Sequence, residues 1–409
     1  MVANQKTLRM INFDKAINLI KKNVKTISTS EVVYVSDALG RTSSEILKSR
    51  NDLPEFDCSS MDGIVVNKSD LSTANQFRIV GESKAGMKET KSFSSGECKY
   101  IFTGAPVPSG NKKIIPIESC KILDNNHIKV KKELITQTFI RKKGSDIKKK
   151  QILVRKNEKL SLRDISSLFS AKFKKISVYR KPKVSIILTG DEIVKKPNLV
   201  ASNNTLTIVN LLKLYGCKIV DVKYVEDNKK KLLDVYKSLN KSDLIISSGG
   251  ISKGKYDLVK SFLIEKNIKI IFDQVSIKPG KPTTFARISK NRFFLGLPGN
   301  PVSCFIMSIF MLRRIIDSFT NNEKELFNYQ NAISLSNFHN KTQLTLFLRI
   351  KEKSKNEKKF FEIFQIQDSH MNFMLKDATG LIILQPNEKV YKNQKYNVIN
   401  FKNIFFNYI

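Results

Sequence analysis

The stretch "KVSIILTG" (183–190) decides the fold. From Val184 to Leu188 only Ser185 interrupts an apolar run, and the run ends on Thr189 and Gly190. A strand with one wet face alternates apolar and polar residues. A continuous run requires both faces to be covered, as happens when helices pack on either side of a parallel sheet. The flanking sequence has that rhythm. "NNTLTIVNLLKLYG" (203–216) reads as a helix with an Asn start and a Gly stop, and "CKIVDVKYV" (217–225) as a strand. "NKKKLLDVYKSLN" (228–240) and "KYDLVKSFLIEKN" (255–267) read as helices, with the strand "DLIISSGG" (243–250) between them. "IKIIFDQVSI" (268–277) and "RFFLGLPGN" (292–300) are further strands, and a helix follows from Pro301. Strand and helix alternate from 183 to about 318, which predicts a parallel α/β sheet domain.

Outside this segment the pattern changes. Residues 11–26 read as a helix, with Ile11, Phe13, Ala16, Ile17 and Ile20 at helical spacing. Short strand signals such as "QFRIVG" (76–81), "CKYIFTG" (98–104), "NKKIIPIE" (111–118) and "NHIKVKK" (126–132) fill the stretch from 64 to 155. "LSLRDISSLFSAKF" (160–173) reads as a helix with Leu160, Leu162, Ile165 and Leu168 on one side. After 327 short strands return, in "TQLTLFLRI" (342–350), "KFFEIFQI" (359–366) and "GLIILQP" (380–386).

Composition excludes several classes of function. A hydrophobic content of 41% suits a globular protein. The longest apolar stretch, "PVSCFIMSIFML" (301–312), is too short to span a bilayer and runs into Arg313 and Arg314. The start of the chain lacks the features of a signal peptide, so the expected location is cytoplasmic, with no membrane partner. Cys58, Cys98, Cys120, Cys217 and Cys304 form no CxxC pair and read as buried thiols. The formal charge of +35 comes mostly from scattered lysines beside abundant Asn and Ile. That reads as a compositional bias of the genome or as a basic, anion-attracting cleft, and the scattering argues against a nucleic-acid partner.

Ligands of open α/β sheets bind beyond the carboxyl ends of the strands. Four loops there carry unusual residues. "TGDE" (189–192) places two carboxylates at a strand tip. "SSGGISKGKYD" (247–257) offers small residues that let backbone amides approach an anion, and ends on Asp257. "IKPGKP" (277–282) carries two lysines around a tight turn. "GLPGNPVS" (296–303) forces a sharp turn into a helix start, whose N–H groups favour an anion. Together they suit a phosphorylated or oxyanion ligand with a divalent cation on oxygen ligands, magnesium being the best fit. No GxxxxGK[ST] or GxGxxG occurs, so ordinary NTPase and dinucleotide sites lack their fingerprints.

These loops stand in one order with three others: "FDCSSMDG" (56–63), "YIFTGAPVPSG" (100–110) and "GSDI" (144–147). The ordered set resembles the molybdopterin molybdenumtransferase family, which includes the E domain of gephyrin. The likeness implies a multidomain α/β plus β fold: a parallel α/β sheet domain of the molybdopterin-binding type, a small β domain, an elongated linker domain and a C-terminal β barrel. The expected boundaries are 1–50 and 141–180 for the two parts of the linker domain, 51–140 for the small β domain, 181–326 for the α/β domain and 327–409 for the barrel. It implies a homodimer whose cleft joins the α/β and C-terminal domains of one subunit to the small β domain of the other. It also implies a reaction of adenylyl-molybdopterin with molybdate that needs a divalent cation, Mg, and releases AMP and the molybdenum cofactor. Handover of substrate from the preceding adenylyltransferase is a further implication.

Carried onto this chain, the resemblance gives catalytic roles to Asp62, Thr103, Asp146, Glu192 and Asp257. Asp62, Glu192 and Asp257 are the implied metal ligands. Substrate contacts fall to Glu118, Ser247, Ser248, Gly249, Gly250, Lys278, Lys281, Pro298 and Pro301, while Arg349 and Ser369 match cleft positions loosely. The chain departs from the family pattern at Ser202, where an aspartate is usual, at Lys255, where an acidic residue is usual, and at Ile64, where an aromatic is usual. Asn372, Phe373 and Met374 replace a serine-rich stretch. Two other readings compete. The adenylyltransferase shares the "SSGG" loop but needs neither "FDCSSMDG" nor a C-terminal β domain. A non-catalytic scaffold would not need intact Asp62, Glu192 and Asp257.

Overall fold

The computed structural model describes residues 10–87, 90–131, 137–189, 203–226, 228–249, 258–321, 326–371 and 373–406. The chain divides into two compact units, one of Met1–Val33, Gly40–Ser44 and Ser177–Ile409, the other of Tyr34–Leu39 and Glu45–Ile176.

In the first unit six strands form one sheet in the order Lys218–Val225, Lys183–Thr189, Leu244–Ser248, Arg292–Leu297, Thr284–Ser289, Lys269–Asp273. The first four are mutually parallel. Thr284–Ser289 runs antiparallel to both neighbours and was not foreseen from the sequence. Its alternation is broken by buried Thr284 and Ala286 and looks like a loop in isolation; the hairpin with Arg292–Leu297 makes it a strand.

The apolar runs are explained by two-sided burial. Ile186, Leu188, Leu244, Ile246, Phe293 and Leu295 point into one core, with the helices Phe13–Asn23, Asn203–Leu214 and Pro301–Met307. The residues between them, Ile187, Ile245 and Phe294, point into the other, with Leu232 and Phe262 from the helices Lys229–Ser238 and Leu258–Glu265. The period of two therefore sorts each strand between two covers. The helix from Pro301 continues through a π turn at Ser308–Leu312 into Arg313–Phe319, and the turn is wholly buried. The N-terminal helix buries Phe13, Ala16 and Ile20 as its spacing foretold, and is capped by Asn12, whose Oδ1 accepts from the Lys15 N–H at 2.8 Å.

The strand order reverses between Lys183–Thr189 and Leu244–Ser248: from the former the chain moves outward to Lys218–Val225, then returns across it. This is the switch point at which α/β sheets open a crevice. Register places Leu188 beside Ser248 and Ser248 beside Leu297, so Thr189, Gly249 and Pro298 end three adjacent strands side by side.

The C-terminal strands close on themselves. Thr345–Lys355 pairs with Lys358–Ile363, which pairs with Tyr329–Ser334, then Lys395–Asn400, then Gly380–Leu384, which returns to Thr345–Lys355. This five-stranded barrel is filled by Leu346, Leu348, Ile350, Phe361, Ile382 and Val398. The short strand Ile277–Lys278 adds in parallel to Thr345 and Leu346, which ties the two-lysine turn to the barrel.

In the second unit a six-stranded sheet runs Lys112–Pro116, Gly63–Asn67, Glu97–Ile101, Gln76–Ser83, His127–Val130, Cys120–Ile122. Ile64 is fully buried in its core with Val66, Phe77 and Ile115. The helix Leu162–Ser170 begins with a capping box of Ser161 and Asp164. Its expected apolar side is only partly realised: Leu168 is fully buried, but Leu162 is 72% exposed. At 3.6 residues per turn Leu162 is rotated about 120° away from Leu168, onto the exposed side that also carries Phe169. All five thiols are unbridged, and only Cys120 is not fully buried. Among the described residues no helix is long and apolar enough to cross a membrane.

Candidate functional site

A cavity of about 440 Å³ opens beyond the strand tips of the first unit. Gly249, Pro298, Gly299 and Asn300 form one wall, the turn Lys278–Pro282 another, and Gln367 and Ser369 a third. Its size suits a small-molecule ligand.

Each wall is set by local chemistry. Gly249 has φ +90°, and a Cβ there would lie 2.8 Å from the Thr189 carbonyl oxygen, so the loop after the strand closes this tightly only with glycine. Gly280 has φ +115°, and a Cβ would lie 2.8 Å from Met307. The turn carrying Lys278 and Lys281 thus rests directly on the helix that begins at Pro301. The Thr283 hydroxyl donates to Gly280 O at 2.7 Å, and Val275 N–H to Lys281 O at 2.9 Å, which fixes the turn from inside. Among the described residues neither lysine ammonium has an ion-pair or hydrogen-bond partner.

Ser247 and Ser248 do not line this cavity. Both are buried: Ser247 Oγ donates to Gly249 O at 3.5 Å, and Ser248 Oγ lies between Asn204 and Pro298 O. Their hydroxyls hold the loop rather than face a ligand. Pro298 is a lining residue, whereas Pro301 sits at the first position of its helix. The open helix N–H groups expected there are partly taken: Val302 N–H donates to Ser369 O at 3.1 Å. Asn300 Nδ2 donates to Ser369 Oγ at 2.8 Å, so the helix start is bound to the segment from the barrel.

Arg349 is 1% exposed and does not reach the cavity wall. Its guanidinium donates to Gln367 Oε1 and to the carbonyls of Ile366, Asp368 and Met371. Burial draws its pKa below the usual arginine value, with Asp368 opposing. Arg349 shapes the segment that delivers Gln367 and Ser369. Cys304 lies beneath Ser248, and burial pushes its thiol up to about 12, so it stays protonated.

The second unit presents a different surface. Asp62 is exposed at the start of the strand Gly63–Asn67. Its Oδ1 accepts from the Thr103 N–H at 2.7 Å and from the Thr103 hydroxyl at 2.8 Å. These two bonds, the backbone one first, hold the Asp62 carboxyl below the usual carboxylate range. Oδ2 makes no hydrogen bond among the described residues. The turn before it is fastened by Ser59 Oγ to Met61 O and by Ser60 Oγ to Phe139 O. Gly63 allows the strand to pass under Ile115, where a Cβ would lie 1.9 Å from the carbonyl oxygen.

Glu118 is exposed one residue after Ile117, whose N–H donates to Asp62 O at 3.1 Å. Asp146 is exposed on another loop, its N–H bonded to Leu53 O at 3.0 Å. Of the predicted polar residues in this unit, only Asp62 and Thr103 touch. Glu192, Asp257, Gly250, Ser202, Lys255 and Asn372 lie outside the described residues. Among the described residues there is no group of three His, Cys, Asp or Glu placed to hold a metal. A second cavity of about 500 Å³ lies in this unit between Asp57, Lys68, Lys112 and Lys142, and includes none of the predicted residues.

Sequence reasoning missed Gln367, Asn300, Ser303 and Asn204. Asn300 and Ser303 stood inside the quoted "GLPGNPVS" and were readable. Gln367 has no motif around it, and Asn204 was taken as part of a helix start.

Comparison with known proteins agrees with this architecture. Residues 11–171 match the MoeA N-terminal region (domain I and II), and residues 185–317 match the probable molybdopterin binding domain. The chain is 30% identical over 303 residues to the molybdopterin molybdenumtransferase of Haemophilus influenzae, covering 73% of this chain and 74% of that one. It is 30% identical over 302 residues to that of Nostoc, covering 71% and 69%. The crystal structure of the molybdopterin biosynthesis MoeA protein of Pyrococcus horikoshii superposes with a TM-score of 0.77 at 26% identity, over 96% of this chain and all of that one. With the loop order, the strand-tip cavity and the five-stranded barrel all in place, the chain belongs to the molybdopterin molybdenumtransferases, an enzyme family of molybdenum cofactor biosynthesis.

Proposed function

We propose that the protein transfers molybdenum from molybdate into adenylyl-molybdopterin, releasing AMP and the molybdenum cofactor. The observation that carries this reading is the pair Lys278 and Lys281, two cations without a partner among the described residues, on a fixed turn at the edge of the strand-tip cavity. A tetrahedral dianion fits two ammonium groups better than one, and a rigid turn removes the backbone part of the entropy of ordering them.

In this reading Lys278 and Lys281 neutralise molybdate and the substrate phosphate. Ser247, Ser248, Gly249 and Gly250 shape the phosphate pocket, and Pro298 and Pro301 keep the facing loop in place. Asp62, ionised, accepts at Oδ2 a proton from the water that cleaves the adenylate, while Thr103 fixes Oδ1 and so aims the carboxylate. Glu118 contacts substrate, and Asp146 adds a second carboxylate to the reacting surface. Asp62 also fits one hard-cation ligand, being ionised with an oxygen open among the described residues, and the family resemblance adds Glu192 and Asp257 as the other candidate Mg²⁺ ligands. When bound, the ion would neutralise phosphate charge.

We read the protein as a homodimer that receives its substrate from the adenylyltransferase. The exposure of Leu162 (72%) and Phe169 (76%) on one helix supports self-association. Light scattering on the intact protein should give twice the chain mass, and Leu162→Glu with Phe169→Glu should give monomer.

The test of the reaction is direct. Purified protein with adenylyl-molybdopterin, molybdate and Mg²⁺ should release AMP and yield cofactor that activates an apo-molybdoenzyme, and chelation of Mg²⁺ should stop it. Absence of AMP release under these conditions would refute the reading.

A further inference from the structure

The walls of the strand-tip cavity come from segments far apart in the chain, and one side chain joins two of them. Asn204 lies near the start of the helix Asn203–Leu214 and is 8% exposed. Its Nδ2 donates to Ser248 Oγ at 3.0 Å and to Gly299 O at 2.7 Å. A carbonyl can only accept, so the Gly299 bond fixes which end of the amide faces the loops. Both amide protons are then in use, one on the strand that ends at Gly249 and one on the turn that carries Pro298 and Asn300.

We propose that Asn204 is the positioning residue of this cavity, holding the Gly249 wall and the Pro298–Asn300 wall at the separation an oxyanion needs. The inference rests on the reading of the cavity as the molybdate site. Three features make Asn204 more than a helix-terminal residue. Its side chain is turned across the sheet edge and, among the described residues, engages no backbone N–H of its own helix. Ser248, once it accepts from Asn204, has its own proton available for Pro298 O at 3.5 Å, so the bond is passed to the same turn. Gly299 in turn precedes Asn300, which donates to Ser369 Oγ at 2.8 Å. A chain of polar contacts thus runs from strand end to helix to turn to barrel segment, and Asn204 is its branch point.

Among uncharged side chains of this length only the amide supplies two donors. Asn204→Leu keeps the volume and removes both. Asn204→Asp keeps the shape, offers no donor when ionised, and sets a negative charge beside the anion pocket. Molybdate binding is followed by calorimetry on the free protein, steady-state AMP release by varying molybdate, and folding by thermal unfolding. Asn204→Leu is expected to raise both the molybdate Kd and its KM about tenfold, with kcat within about threefold of wild type. Asn204→Asp is expected to raise them further. Ser248→Ala, which leaves the Gly299 bond, should give a smaller rise, and Ser248→Ala combined with Asn204→Leu should add less than the two single effects summed, since the Asn204–Ser248 bond is counted in both.

A merely structural asparagine would behave differently. It would lower the unfolding temperature and reduce activity in step with the folded fraction, leaving KM unchanged. That result, or molybdate binding within twofold of wild type in both Asn204 variants, overturns the proposal while the wild type still binds molybdate and releases AMP. A wild type that does neither overturns the parent reading and this inference together.

Discussion

The strand-tip cavity and the Asp62 surface handle polar groups in opposite ways. Around the cavity the polar side chains that tie its walls together engage one another: Asn204 with Ser248 and Gly299, Asn300 with Ser369, Arg349 with four groups of the 366–371 segment. Lys278 and Lys281 are the lining cations, and both are without partners among the described residues. At Asp62 the exposed carboxylate has one neighbour, Thr103, and an oxygen without a hydrogen bond. A frame tied together by internal hydrogen bonds that leaves two cations open suits recognition of an anion. An ionised carboxylate with one oxygen fixed and one open suits proton transfer or cation ligation. In the proposed reaction this difference becomes a division of labour, in which the cavity binds and the Asp62 surface reacts.

The largest expected effect breaks or confirms that division. Asp62→Ala should reduce AMP release by about a thousandfold, within the range for a general acid or base, while molybdate affinity stays within about twofold. Asp62 is exposed, so the unfolding temperature should be little changed. Equal losses in turnover and in molybdate binding would erase the distinction. Lys278→Ala with Lys281→Ala should do the reverse. Molybdate KM should rise about a hundredfold, and turnover should largely recover at high molybdate. Failure to recover would move the lysines into the chemistry.

A third expectation concerns the frame. Gly249→Ala must adopt φ +90° with a Cβ 2.8 Å from Thr189 O. The strain and the clash together should destabilise by about 2–4 kcal/mol, seen as an unfolding temperature several degrees lower. The molybdate KM should rise as well, because the wall it forms would move. A stable, fully active Gly249→Ala variant would show that the wall does not need to close this tightly.

The same contrast explains what could be read from the sequence. Strand tips announce themselves: an apolar run such as Val184–Leu188 has to end, and small residues after it have few reasons to be there but a tight turn. The cavity's backbone walls at Gly249, Pro298 and the lysine turn were legible for that reason. Its ties were not. Nothing local tells that Asn204 reaches Gly299, because that depends on three strand ends lying in register. Which way the serines of "SSGG" turn was not legible either, since a hydroxyl at a strand tip can point inward or outward without any change of pattern. The antiparallel strand Thr284–Ser289 escaped because its partner, not its own alternation, makes it a strand. Asp62 was legible through "MDG" and the resemblance. Its partner Thr103 sits 41 positions away, and the bond between them is a product of the small β sheet. Glu118 and Asp146 were named beside them, and neither touches that pair.

The smallest expected effect tests how Thr103 governs Asp62. Two hydrogen bonds hold the folded Asp62 carboxyl below its ordinary value near 3.8, and the backbone N–H of residue 103 is the stronger cause. Any property that needs Asp62 ionised therefore persists as pH falls through 3.8 and is lost only below it. The stabilisation that these bonds contribute follows the same sign: it is fully present above the unfolded value and disappears as pH falls through the folded one. Thr103→Val keeps the shape and the backbone donor but removes the hydroxyl. The acid limb of the AMP-release profile should then move upward, toward but not past the ordinary carboxylate range, with activity at neutral pH little changed. An acid limb that does not move would mean that the backbone donor alone sets the Asp62 titration. An activity loss at neutral pH would mean that Thr103 touches the substrate itself, and the Asp62 surface would then share in binding.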